Sequence, residues 1–166
     1  MPAGNTYVAI AEQTLGSAAA SVTFSSIPST YTDLVLVMKP IKGTLNYPYI
    51  RFNADSGSNY SITTLGGNGT SAVSTRSTNI TQGYLNETVA TTTTASTQFI
   101  IQINNYSNST TNKTYLVRGS EAGSGTDAVV GLWRNTAAIT TVALLGGNGG
   151  TFDSGSTFSL YGIASA

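Results

Sequence analysis

The stretch TQFIIQIN, Thr97–Asn104, places Phe99, Ile101 and Ile103 on one side of an extended chain and Gln98, Gln102 and Asn104 on the other, with Ile100 the exception. Side chains alternate across a strand, so this period of two predicts a strand with one buried face. The same pattern recurs outward from it. YIRFN (Tyr49–Asn53) turns Ile50 and Phe52 inward and Arg51 and Asn53 outward; YSITTL and TFSLYGI (Thr157–Ile163) alternate likewise. DLVLVM (Asp33–Met38) is apolar on both faces, which predicts a central strand covered on both sides. DAVVGLWR (Asp127–Arg134) reads similarly and carries the only tryptophan, Trp133, expected in the core. ITTVALL (Ile139–Leu145) is rich in β-branched residues, which favour strands. Thr6–Leu15, Ser21–Phe24 and Thr114–Gly119 complete about ten short strands, bounded by Gly, Ser, Asn or Pro. No stretch sustains a helical period; Ala18–Ala20 and Thr136–Ile139 amount to a helical turn at most. The expected fold is all-β: a single antiparallel, jelly-roll-like β-sandwich over residues 1–166, with a short N-terminal arm at 1–5 and an extended surface loop at Glu87–Thr97.

Composition narrows the function. A chain of 166 residues is about one domain and buries roughly 70% of its unfolded surface, enough for a core without staples. There is no cysteine, so disulfides and thiolate metal sites are excluded, and no histidine, the commonest general base and metal ligand. Seven basic residues balance seven acidic ones, so no basic excess exists to neutralise nucleic-acid phosphates. No apolar run approaches the ~20 residues of a membrane-spanning helix, and MPAGNTYVAIAEQTL lacks the features of a secretory signal. The Ser/Thr/Gly bias is offset by nine tyrosines and five phenylalanines, which argues against disorder. The expectation is a protein without nucleic-acid or membrane partners and without cofactor.

Motifs with chemical potential are sparse. LGGNG occurs at Leu65–Gly69 and again at Leu145–Gly149. A phosphate-binding loop needs a helix behind its glycines and usually a lysine; both copies follow strand-like runs and lead into more Gly, Ser or Thr, so both read as turns. The seven carboxylates are Glu12, Asp33, Asp55, Glu87, Glu121, Asp127 and Asp153, and no spacing forces two of them into one cleft as glycoside hydrolysis requires. In NADSGSN (Asn53–Asn59), Asn53, Asp55 and Asn59 offer oxygen ligands around Gly57 and form a weak candidate cation loop; a β-hairpin turn accounts for the same residues. No G-x-S-x-G elbow is present, and the N-x-S/T sequons arise readily at this composition. Tyr47, Tyr49, Tyr60, Tyr84 and Tyr106 could stack on sugars or simply pack. No catalytic or cofactor-binding residue emerges, and the protein is not expected to be an enzyme.

Five stretches in matching order, ASVTFSSIPSTYTDLVLVM (Ala20–Met38), IRFNADSGSNYS (Ile50–Ser61), IIQINNYSNSTTNKTYLVR (Ile100–Arg118), VGLWRNTAAITTVAL (Val130–Leu144) and GSTFSLYGI (Gly155–Ile163), together resemble the small β-sandwich virion structural proteins of tailed phages that infect cyanobacteria and other aquatic bacteria. The resemblance brings no catalytic residues. It implies a virion structural protein, of a kind found both on capsids and in tail fibres; the expectation is a capsid decoration, or cement, protein on the outer surface of the phage head, made in the host cytoplasm. Such a protein binds the major capsid protein, ties its subunits together and forms a homotrimer. The alternative is a tail-fibre or receptor- or glycan-binding module. A strand pattern running from about residue 6 to about residue 163 fits the first reading better, since fibres carry an attachment segment and a shaft. Low charge spares an interface the cost of desolvating ions. Sheet edges rich in Ser, Thr and Asn suit strand pairing with a partner, and MPAGNT and Thr88–Thr97 are the expected contact arms.

Overall fold

In the computed structural model, which describes residues 6–43, 47–88 and 91–164, the alternation at Thr97–Asn104 is complete: Thr97, Phe99, Ile101 and Ile103 are buried, and Gln98, Ile100, Gln102 and Asn104 are exposed. Twelve strands are present among the described residues: β1 (Tyr7–Thr14), β2 (Ser21–Phe24), β3 (Asp33–Ile41), β4 (Tyr49–Phe52), β5 (Tyr60–Gly67), β6 (Ala72–Ile80), β7 (Gly83–Tyr84), β8 (Thr97–Asn104), β9 (Lys113–Glu121), β10 (Gly125–Trp133), β11 (Val142–Leu145) and β12 (Thr157–Ile163). They form an eight-stranded sheet, β1-β12-β3-β8-β9-β10-β5-β6, and a four-stranded sheet, β2-β11-β4-β7, with every pairing antiparallel.

The connectivity explains this unequal division. β1 pairs with β12, β2 with β11, β3 with β8 and β4 with β7, and successive pairs fall in opposite sheets. That is a long antiparallel ribbon rolled up, the jelly roll, with four strands per sheet: β1-β12-β3-β8 over β2-β11-β4-β7. Two hairpins are inserted into it. β5–β6 lies between β4 and β7, and β9–β10 lies between β8 and β11; side by side they extend one sheet of the roll by four strands beyond β8.

The core lies between the sheets. Leu34, Leu36 and Met38 of β3, Phe99, Ile101 and Ile103 of β8, and Phe158 and Leu160 of β12 face Val22, Phe24, Ile50, Phe52, Val142 and Leu144 of the smaller sheet, all buried. An aromatic cluster joins the extension to the roll. Phe52 of β4 meets Trp133 of β10 at 5.6 Å between ring centroids, Tyr115 of β9 at 5.7 Å edge-on and Tyr60 of β5 at 6.3 Å. Tyr60 and Trp133 stack at 6.4 Å. All four side chains are fully buried. The Tyr115 ring lies against Gly131, where a Cβ would come within 1.9 Å of its Cζ; here glycine is required by close approach.

Two strands escaped the sequence reading of about ten. β6 is exposed along almost its whole length, AVSTRSTNI, and shows no apolar alternation; β7 has only two residues. ITTVALL is a strand only from Val142, because Thr140 and Thr141 direct their N–H groups to Asn53 Oδ1, at 2.9 and 3.1 Å, instead of to a ladder. Both-sided cover holds in part for β3, where Val35 is buried and Val37 half-buried. It fails for DAVVGLWR: Asp127, Val129 and Trp133 face the core, and Ala128 and Val130 face outward uncovered. No helix forms at Thr136–Ile139, and Gly147–Gly149 is a single 3₁₀ turn. The N-terminal arm at 1–5 lies outside the described residues, as do residues 89 and 90 of the expected Glu87–Thr97 loop.

Candidate functional site: an apolar trough on the extended sheet

The expected sites are taken up by internal structure. In the candidate cation loop, Asp55 Oδ1 accepts from the Gly57 N–H (2.8 Å), and Oδ2 accepts from Asn59 Nδ2 (2.9 Å) and Trp133 Nε1 (2.7 Å). Burial alone would raise the Asp55 pKa, but the Trp133, Asn59 and Gly57 hydrogen bonds, with Arg51 nearby, hold it below its ordinary value. Asn59 presents its NH₂ group, and not its oxygen, to the carboxylate. Asn53 points elsewhere, accepting from the 140–141 backbone and donating to Ala138 O at 2.8 Å. Asp55 and Asn59 are thus brought together and Asn53 is not, in a turn whose carboxylate oxygens already face N–H donors.

The other carboxylates are dispersed. Glu12 accepts from Ser159 Oγ at 3.0 Å, Asp33 from the Asn105 N–H at 2.6 Å, and Glu87 from Thr75 Oγ1. Glu121 closes its own turn through the Ser124 hydroxyl and the Gly123 N–H, which hold its pKa below the ordinary value. Asp127, buried on the inner face of β10, accepts from the N–H groups of Glu87 and Thr88 at 3.1 and 2.9 Å and pins that crossing segment over the sheet. Among the described residues no three carboxylates gather as metal ligands would. Lys113 is buried with its ammonium on the carbonyls of Thr111 and Thr136, at 2.8 and 2.9 Å, and burial lowers its pKa. The tyrosines divide. Tyr60 and Tyr106 are fully buried, and burial pushes the Tyr60 phenol up to about 12. Tyr49 and Tyr84, 4.8 Å apart and half-buried, remain at the surface, where the Tyr49 hydroxyl donates to Asn148 Oδ1 at 3.3 Å.

The glycine repeats are turns of two kinds. In the first copy Leu65–Gly67 end β5, and Asn68 Oδ1 accepts from the Thr70 and Ser71 N–H groups to open β6. In the second, Leu145 ends β11, and Asn148 and Gly149 take positive φ, 55° and 76°.

The surface feature that stands out went unrecognised in the sequence. On the outer face of the eight-stranded sheet the ladders align two rows. One runs Val37, Ile100, Arg118, Ala128, Leu65, Ser74; the other runs Val35, Gln102, Leu116, Val130, Thr63, Arg76. Leu65 is 61% exposed, Val130 46%, Leu116 44% and Ile100 37%. They sit on four adjacent strands and line a trough of about 500 Å³ together with Ala128 and Arg118. Scattered apolar residues on a surface are ordinary, whereas a contiguous patch marks a contact site. Ile100, the exception in TQFIIQIN, and Val130, in a run apolar on both faces, were its local signals. The chain matches no protein-family model, and no curated protein matches it in sequence.

Proposed function

We propose that this protein is a structural component of a phage virion, a capsid decoration or cement protein that binds the major capsid protein on the outside of the head as a homotrimer and reinforces contacts between shell subunits. The observation that carries the reading is the trough: an apolar surface across β8, β9, β10 and β5 that none of the described residues covers, on a body where six of the seven carboxylates are each hydrogen-bonded within the fold. This arrangement suits adhesion and offers no pair of groups poised for acid–base chemistry. The jelly roll hosts both capsid and lectin domains, so it does not choose between head and tail. The ordered resemblance to phage virion proteins favours the particle, and the apolar trough favours a protein partner over a sugar.

A second reading, a receptor- or glycan-binding tail module, draws on the surface Tyr49–Tyr84 pair with Asn148 beside it, since paired tyrosines and an amide are suited to a sugar ring. Copy number in purified virions separates the two. Hundreds of copies per particle are expected for a head protein; a few dozen or fewer, with binding of the isolated protein on a glycan array, would transfer the assignment to the tail. Sedimentation of the isolated protein tests the trimer.

A further inference from the structure

We propose that the trough on the outer face of the sheet extension docks an extended protein segment that alternates apolar and acidic side chains. This deepens the reading above and rests on it for the partner being a protein. Three observations carry it. First, the charge is one-sided. Arg118 lines the trough and Arg76 borders it in the neighbouring row, and no carboxylate lines it. Two carboxylates share this face. Asp33 on β3, bonded to the Asn105 N–H, is two strands across and four residues along from Arg118, about 17 Å at ~4.8 Å per strand and ~3.4 Å per residue. Glu12 on β1, in the Arg118 row, is four strands away at about 19 Å, and both lie beyond the ~8–10 Å screening length. An acidic partner therefore meets guanidinium groups without competition from the protein's own anions.

Second, the trough is an open channel on a sheet face, whereas small-molecule sites enclose most of their ligand. Third, its floor spans four strands and two outward residues along each, on the order of 200 Å². A stable dimer needs about 800 Å² per partner, so a second copy is too large a partner for this patch, and a two-fold contact centred on it would also bring Arg118 close to its own copy. An extended segment matches the floor in width: its apolar side chains drop between Leu116, Val130 and Leu65 as they would on a pleated surface, and the long Arg118 and Arg76 side chains reach up past its edges to the acidic side chains on its other side. A contact this small is weak singly and gains strength through repetition on a particle.

The experiment is titration of the isotope-labelled protein, followed by amide NMR, with a capped decapeptide of alternating valine and glutamate at neutral pH and low salt. The valine–lysine and serine–glutamate counterparts serve as controls. The expected result is saturable shifts at Ile100, Leu116, Arg118 and Val130 with the valine–glutamate peptide alone. Arg118→Glu, an exposed position whose fold is checked by thermal melting, should weaken that binding at least ~10-fold, about 1.4 kcal/mol, and admit the valine–lysine peptide. Leu116→Ser should weaken it without changing the charge preference. The inference is overturned by no shifts up to about 1 mM peptide, by equal binding of the lysine peptide, or by indifference to Arg118→Glu. Concentration-dependent shifts at the same residues without peptide would overturn it in favour of self-association. Virion copy number is independent of all these outcomes, so failure of the trough and failure of the particle assignment are distinguishable.

Discussion

The eight rolled strands and the four inserted ones obey the same local rule and end in different circumstances. In the roll, inward-facing residues of β3, β8 and β12 meet a second sheet, and on the outward face Val35 is covered and Ser159 is tied to Glu12, leaving large apolar side chains exposed only at its margins, Tyr7 on β1 and Ile100 on β8 beside the extension. In the extension, the inner face of β9, β10 and β5 meets β7, the Leu85–Thr88 crossing and the aromatic cluster, while the outer face keeps large apolar side chains in solvent. The inner face of the extension is therefore the part that stability depends on, and its outer face is free to serve contact. An element added to a closed roll needs one covered face to be stable and leaves the other available.

Removing the joint between the two regions should have the largest effect. Trp133 is fully buried, packs on Phe52 and Tyr60, and donates to Asp55. Trp133→Ala should cost about 3–5 kcal/mol in urea or thermal unfolding. If the joint couples roll and extension, wild-type unfolding is one transition by fluorescence and circular dichroism alike; two separated transitions would break the comparison by making the extension an independent unit. Gly131→Ala should cost about 1–3 kcal/mol, since its Cβ would collide with the Tyr115 ring between two sheets that cannot part. A neutral result would mean that the extension repacks freely.

Acid should act on the turn beside the joint. The folded Asp55 carboxyl titrates below its unfolded value, so its contribution is present above the unfolded pKa, near 3.9, and fades as pH falls through the lower folded pKa. Asp55→Asn should lower stability at neutral pH by roughly 1 kcal/mol and flatten part of the acid limb of a Tm-against-pH profile; Glu121, shifted the same way, supplies a share that persists. An unchanged profile would show that Trp133 does not depend on the ionised carboxylate. The smallest effect belongs to the outer face. Leu116→Ser and Val130→Ser, exposed in the trough, should change stability by no more than about 0.5 kcal/mol. A loss several times larger would mean that this face supports the fold and is not spare for contact.

Much of the roll was legible because alternation is a property of each strand alone: Phe99, Ile101 and Ile103 declare a buried face wherever the strand is placed. Ten of the twelve strands among the described residues were readable from the chain, β4, β5, β8 and β12 of them by alternation. β6 was not readable, because its pairing with β5 derives from the Asn68 turn and the Arg134 guanidinium, which bonds Ser58 O and Asn79 Oδ1 at 2.6 and 2.9 Å, and not from an apolar pattern. The partners of Asp55 were equally hidden: Trp133 lies 78 residues away.

By itself, then, the sequence determined that the chain forms short antiparallel strands with one apolar face and carries neither a histidine nor a cysteine for chemistry. Tertiary structure alone decided that Leu65, Ile100, Leu116 and Val130, dispersed along the chain, come to lie side by side on a face that no second layer of the described residues covers. The physical reason is that strand periodicity assigns a side chain to one of two faces. Which face is buried, and which residues share it across strands, is settled by pairing register and by the side on which the four-stranded sheet packs.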